Sequence, residues 1–296
     1  MFLQFRGETA ALGAALIWAV ASLIYTGIGR QLSPIALNFT KGWIAIALFL
    51  VTIGVLNHPT PIFDSISVLL LFLSGAIGIG LGDTAYFNAL NCIGARRTLL
   101  FETLAPPLSA ILAFLFLREQ LLIQAWFGIA LTIGGVIWVI MERTPDNTGN
   151  IRPRIGSLYA LLATLGQSGG AVLSRAALIN SEIDTLWSTL IRLIGGTVVL
   201  WIWILVKQQQ REAVKPFQSG RLLSIIAGTA LISTYLGIWL QQTSLKFAPA
   251  GIAQALSSTS PLFVIAIVLG LGERVSVRSM IGVVIAIIGV SLLFTR

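Results

Sequence analysis

The sequence predicts an all-α membrane protein of ten transmembrane helices, arranged as a five-plus-five inverted-topology repeat. Three observations carry this. Hydrophobic residues make up 56% of the 296 positions and charged residues 10%, with a mean hydropathy of +0.91. A soluble domain is nearer 25% charged and could not bury so much apolar surface. The apolar residues fall in long blocks, as a helix crossing about 30 Å of hydrocarbon requires. The third observation is an internal repeat.

The blocks are 10–28, 35–56, 66–88, 98–117, 125–141, 155–177, 185–206, 222–245, 249–271 and 279–294. Breakers separate them, among them Ser33-Pro34, the run from Asn57 to Pro61, and Ala248-Pro249. Two connections are longer and polar, 142–154 and 207–221. Backbone polar groups in lipid must be satisfied within the segment, so the spans are helical. Alternating segments of about ten residues, the mark of a membrane barrel, are absent. Only Arg6 precedes the first block and no small-residue cleavage site follows it, so that block reads as a retained span.

Residues 88–136 lie on 242–290 at an offset of 154. In that register Pro107 meets Pro261, Glu119 meets Glu273, Gly128 meets Gly282 and Gly135 meets Gly289. Earlier segments align with small gaps, placing Trp18 on Gln167 and Lys41 on Arg192. The chain therefore divides into a first five-helix unit (1–141), a polar linker (142–154) and a second unit (155–296). An odd number of spans per unit inserts the second copy upside down, the plan of many secondary transporters.

A net charge of +8 does not point to nucleic acid, because the basic residues are dispersed between apolar blocks and form no patch. One cysteine, Cys92, and one histidine, His58, rule out an internal disulfide and a Cys/His metal cluster. Neither a Walker A sequence nor H-E-x-x-H occurs. No cofactor is expected. The expected partners are the lipid bilayer, a small-molecule substrate and protons.

Mid-span prolines at matching places, Pro107 and Pro261, mark interrupted helices and hence a substrate site. Around them lie Glu102 on one side and Gln254, Ser257 and Ser258 on the other. Trp18, Ser22 and Tyr25 share one face of the first span, as do Gln167, Ser168 and Ser174 of the sixth. Four ionisable residues lie within spans: Lys41, Asp83, Glu102 and Arg192. Such residues usually face the protein interior and often mark a pathway. Asp83 and Glu102 suit a proton relay, within reach of Arg96 or Arg97. Lys41 and Arg192 read as structural charges whose long stems can snorkel. Gly78–Gly82 and Gly166–Gly170 are GxxxG pairs that imply close helix contact. Glu119 and Glu273, just past a span, suit capping of the helix that follows.

The repeated frame reads Ala89-Leu90-Asn91-Cys92-Ile93-Gly94-Ala95, then Pro107, then Glu119, and again Phe247-Ala248-Pro249-Ala250, then Pro261, then Glu273. It resembles the EamA type of the drug/metabolite transporter superfamily over nearly the whole chain. The resemblance implies export or exchange of amino acids, their analogues or other small metabolites across a plasma membrane. It also implies a cavity lined by spans 1, 3, 4, 6, 8 and 9, and cytoplasmic termini. The charge distribution points the other way. An even span count gives the termini's face Arg6, Arg118, Arg175, Lys246 and Arg296, five basic residues against twelve opposite. The richer face should be cytoplasmic. An intramembrane enzyme and a channel-like permease remain the alternative readings.

Overall fold

The computed structural model describes residues 5–28, 33–141, 152–179, 181–270 and 276–294. Its described secondary structure is helical throughout. Helix α1 covers Arg6–Ile28 and α2 covers Pro34–Val55, the latter capped by the Ser33 hydroxyl with proline at its first position. Next come α3 (Ser65–Gly75), a π-helical turn (Ala76–Asp83) and α4 (Thr84–Glu102), which kinks at Gly94 with φ 79°. They are followed by α5 (Ala105–Leu117), α6 (Ile123–Ile140), α7 (Pro153–Ile179) and α8 (Thr185–Val206). The polar connection after α8 is not a plain loop: Gln210–Val214 forms a short helix, α9, continued by a 3-10 turn, Lys215–Gln218. Then come α10 (Gly220–Thr229), a second π-helical turn (Ala230–Leu236), α11 (Gly237–Phe247), α12 (Ala250–Ser257), α13 (Ser260–Gly270) and α14 (Val277–Leu293).

Seven described helical runs are long and apolar enough to cross a membrane: Pro34–Val55, Ser65–Gly94, Arg97–Leu117, Ile123–Ile140, Thr185–Val206, Gly220–Phe247 and Ala250–Ile267. α14 is apolar but shorter. α1 and α7 complete the set of long helices; α7 carries Gln167, Ser168, Ser174 and Arg175 along its length. Large apolar side chains such as Val51, Phe116, Trp201 and Ile288 are exposed on the outside. Burial of alanine, serine, threonine and glycine inside lets backbones approach, the packing expected in lipid.

Three glycine contacts set the helix arrangement. A Cβ on Gly166 would lie 3.0 Å from the Gly82 Cα, and one on Gly170 would lie 3.1 Å from the Gly78 Cα. The two GxxxG pairs thus pack on each other, which presses α7 against the first π turn. Gly195 and Gly196 of α8 meet Phe72 and Gly75 of α3 in the same way. In the third contact, α6 and α14 cross antiparallel: Gly128 faces the Gly289 carbonyl and Gly135 faces the Gly282 carbonyl. These are the glycines that the repeat aligns.

The prolines break their helices where the missing hydrogen bond falls. Pro107 leaves the Thr103 carbonyl without its i+4 donor, and α4 ends at Glu102. Pro261 does the same at Ser257, the last residue of α12. The π turns, too, recur at an offset of 154, since Ala76 becomes Ala230. Each π turn exposes a carbonyl that a neighbouring helix satisfies. Asn38 donates to the Ile79 carbonyl at 2.9 Å, and the Trp18 indole donates to the Ser233 carbonyl at 3.0 Å. Ile79 and Ser233 are again 154 residues apart.

Candidate functional site

The glycine seam between α7 and the first π turn puts Gln167 beside Asp83. The Gln167 amide donates to Asp83 Oδ1 at 2.7 Å. Glu102, on the last turn of α4, lies within the field of the Asp83 carboxylate, and Tyr86 stands near both. The Thr164 hydroxyl faces the Glu102 carboxyl group, yet Oε1 of that group is buried without a hydrogen-bond partner. Among the described residues no ion pair joins Asp83 or Glu102 to Arg97. The side chain of Arg96 lies outside them.

The two cations turn inward instead of snorkelling. Arg192 is 1% exposed. Its Nη1 donates to Gln242 Oε1 at 2.9 Å and to Gln241 Oε1 at 3.3 Å. Its Nε has no partner, and its Nη2 lies 3.1 Å from where a Gly78 Cβ would be. Lys41 is buried on α2 with its ammonium 5.1 Å from the centre of the Phe87 ring. Both cations lie within the field of Asp83. The first π turn is therefore ringed by a carboxylate with its amide partner, a second carboxylate and two cations.

The helix breaks are repaired differently in the two copies. Across the first, α7 supplies hydroxyls: Thr164 donates to the Phe101 carbonyl at 3.1 Å and Ser168 to the Ala105 carbonyl at 3.2 Å. Across the second, the run uses its own hydroxyls, with Ser258 donating to the Gln254 carbonyl at 2.8 Å and Thr259 to the Leu256 carbonyl at 2.6 Å. Gln254 and Ser257 are buried, and the Gln254 amide nitrogen has no partner. Pro107 and Pro261 are half-buried. Trp18 is committed to the second π turn. Ser22 and Tyr25 fall on α1, and their side chains lie outside the described residues, as do Glu273 and most of the linker.

Sequence reasoning passed over four contributors: Asn38, Thr164, Gln241 and Gln242. A signal existed for the last pair, since two adjacent amides in an apolar span need interior partners. Two shallow surface depressions, at Phe63–Phe72 and at Phe114–Trp126, involve none of the interior polar groups above.

A profile of the EamA-like transporter family matches residues 5–141 and again residues 154–295. The chain belongs to that family. This EamA-like protein is similar to an uncharacterized transporter of Archaeoglobus fulgidus, with 23% identity over 286 residues and 96% of each chain covered. It is also similar to the protein LicB of Haemophilus influenzae, with 24% identity over 235 residues, covering 76% of this chain and 77% of LicB. A solved crystal structure superposes with a TM-score of 0.77 over 98% of each chain at 15% identity, a likeness of fold alone. The family and the apolar helices make the chain a multi-pass integral membrane protein, and they point to transport rather than enzymatic chemistry.

Proposed function

We propose that this EamA-like protein is a secondary transporter that exports or exchanges small metabolites, amino acids or their analogues among them, across a plasma membrane by alternating access. Its ten spans form two five-helix units, 1–141 and 155–296, inserted with opposite polarity and joined by the linker 142–154. The antiparallel crossing of α6 and α14 supports this, because the two helices occupy the same place in the two copies and meet through aligned glycines. The same offset relates the two π turns and the two proline breaks.

The observation that carries the reading is Glu102, a buried carboxyl group at a helix break, with one oxygen unpartnered and Asp83–Gln167 beside it. Acidic groups kept inside a membrane bundle serve substrate and proton pathways. Asp83 and Glu102 carry the coupling proton. Trp18, Ser22, Tyr25, Pro107, Gln167, Ser168, Gln254, Ser257, Ser258 and Pro261 border the substrate path, and Lys41 and Arg192 balance its charge.

Purified protein in liposomes preloaded with a metabolite mixture should show saturable counterflow of labelled substrate, accelerated by an imposed pH gradient. Glu102→Gln should remove the acceleration while leaving exchange at symmetric pH. Flux indifferent to pH in the unaltered protein would remove the relay. Ohmic single-channel currents without counterflow would replace the carrier with a channel.

A further inference from the structure

Glu119 does not cap the helix that follows it. The chain turns at Arg118, in left-handed conformation with φ 55°, and sends the Glu119 carboxylate across to the second repeat. Its Oε1 accepts from Arg175 Nε of α7 at 2.6 Å, and its Oε2 accepts from the backbone N–H of Ala250, the first residue of α12, at 3.1 Å. Arg175 Nη1 in turn donates to the carbonyls of Leu245 at 2.9 Å and Lys246 at 2.8 Å, in the last turn of α11. One carboxylate thus satisfies a free N–H at one helix start, and one guanidinium satisfies free carbonyls at one helix end. Each carries the sign that the helix dipole favours at that terminus. Together they tie the end of α5 to α7, α11 and α12.

The knot is mostly closed to solvent: the Arg175 and Glu119 side chains are 14% and 13% exposed. Beside it α1 seals against the α11–α12 turn, where a Cβ on Gly7 would lie 2.6 Å from the Ala248 backbone N. Glu119 lies within the first match to the family profile and its two partners, Arg175 and Ala250, within the second. A contact of this kind must open whenever the two repeats separate at that end of the bundle.

We infer that Glu119 and Arg175 are positioning residues of the transport cycle, a clasp that holds one end of the path shut and is released to let the site face that side. This inference rests on the alternating-access reading. The clasp is reversible, because it is made of one ion pair and backbone hydrogen bonds. Its two ends report separately. Ser244, buried and one residue before the capped carbonyls, lies at the clasp. Cys92 is half-buried beyond the far end of the run Arg97–Leu117, about 30 Å away at helical rise.

The test uses two single-cysteine versions of the full chain in oriented vesicles, one keeping Cys92 alone and one carrying Cys92→Ser with Ser244→Cys. A membrane-impermeant maleimide is added from either side. Glu119→Gln keeps the shape and removes the charge that holds Arg175. It should raise the labelling rate at the Ser244→Cys position by about tenfold or more, the size of one lost charge-assisted hydrogen bond, while labelling at Cys92 does not rise. An unchanged rate at Ser244→Cys, or a parallel rise at both positions, overturns the clasp, the second because it signals general loosening. If Glu119→Gln does not insert, Arg175→Gln reads the same contact from its other side. Counterflow on the same vesicles separates the two claims: a protein that carries nothing yet shows the one-sided shift refutes the transport reading and not the clasp.

Discussion

Gly134 and Gly135 of α6 are adjacent and differ only in what they face. A Cβ on Gly135 would lie 2.5 Å from Ala286 N, 2.6 Å from the Gly282 carbonyl oxygen and 2.7 Å from Ala286 Cβ, whereas one on Gly134 would meet nothing within 4 Å. Carbon contacts are comfortable near 3.5–4.0 Å, so alanine at 135 must drive α6 and α14 apart by about 1 Å. Overpacking of that order costs about 1–3 kcal/mol. Both substitutions gain about 0.8–1 kcal/mol of helix propensity. Gly134→Ala should therefore be neutral to stabilising, and Gly135→Ala destabilising relative to it by the full overpacking term. At about 2–4 °C per kcal/mol, thermal unfolding in detergent should place Gly135→Ala several degrees below Gly134→Ala. Because Gly289 sits in the same register of the other copy, with Thr132 N 2.4 Å from its virtual Cβ, Gly289→Ala should behave like Gly135→Ala. Equal transitions for Gly134→Ala and Gly135→Ala would refute the close crossing.

Three further outcomes are expected. Pro261→Ala restores an N–H that can bond the Ser257 carbonyl, an exchange worth about 3 kcal/mol in a helix interior. It should slow counterflow while membrane insertion and protein level stay normal. Gly237→Ala should be poorly folded alone, because its Cβ would sit 2.5 Å from Trp18 Nε1. Trp18→Gln should rescue part of that loss, and a double-mutant cycle on the folded fraction should show non-additivity. Asp64, which caps α3 outside the membrane, is held below its ordinary 3.8 by hydrogen bonds from the Ser67 backbone and hydroxyl. A lowered carboxylate value stabilises above 3.8 and loses that contribution as pH falls through the folded value. The Tm difference between the unaltered protein and Asp64→Ala should persist at neutral pH and vanish on acidification below 3.8.

Much of the helical frame was legible because its signals are local. Apolar blocks place the seven runs long and apolar enough to span, and proline fixes a break four residues back, which is where α4 and α12 stop. The GxxxG pairs announced close contacts, although not that Gly78–Gly82 and Gly166–Gly170 would be each other's partners. The π turns had no sequence signature, since an extra residue per turn is a hydrogen-bond pattern and not a residue type. Within 207–221 polarity suggested a loop, yet Gln210–Val214 is built of good helix formers and coils. The partners of Glu119 were beyond reach for a different reason. Arg175 and Ala250 lie 56 and 131 residues away along the chain, and only tertiary structure chooses between them and the adjacent helix start. Snorkelling misled for Lys41 and Arg192 because it assumes lipid around the stem. Gly75 and Gly196 bring α8 so close to α3 and the π turn that Arg192 is enclosed by protein instead.

The repeat is kept in backbone and divided in chemistry. Asp83, the last residue of the first π turn, and Gly237, the first after the second, occupy equivalent positions, and Gln167 and Trp18, aligned with each other, reach them from α7 and α1. In one copy the meeting is an amide on a carboxylate. In the other an indole fills the space over a glycine and spends its N–H on the Ser233 carbonyl. The glycine is required there because the ring leaves no room for a side chain. The interior carboxylates follow the same division: Glu102 has Leu256 and Asp83 has Gly237 as counterpart at the offset of 154. A scaffold with two equivalent halves can rock symmetrically, whereas a proton needs a single address. In the proposed transport cycle, carboxylates concentrated at the first π turn and a second turn sealed by tryptophan would supply both.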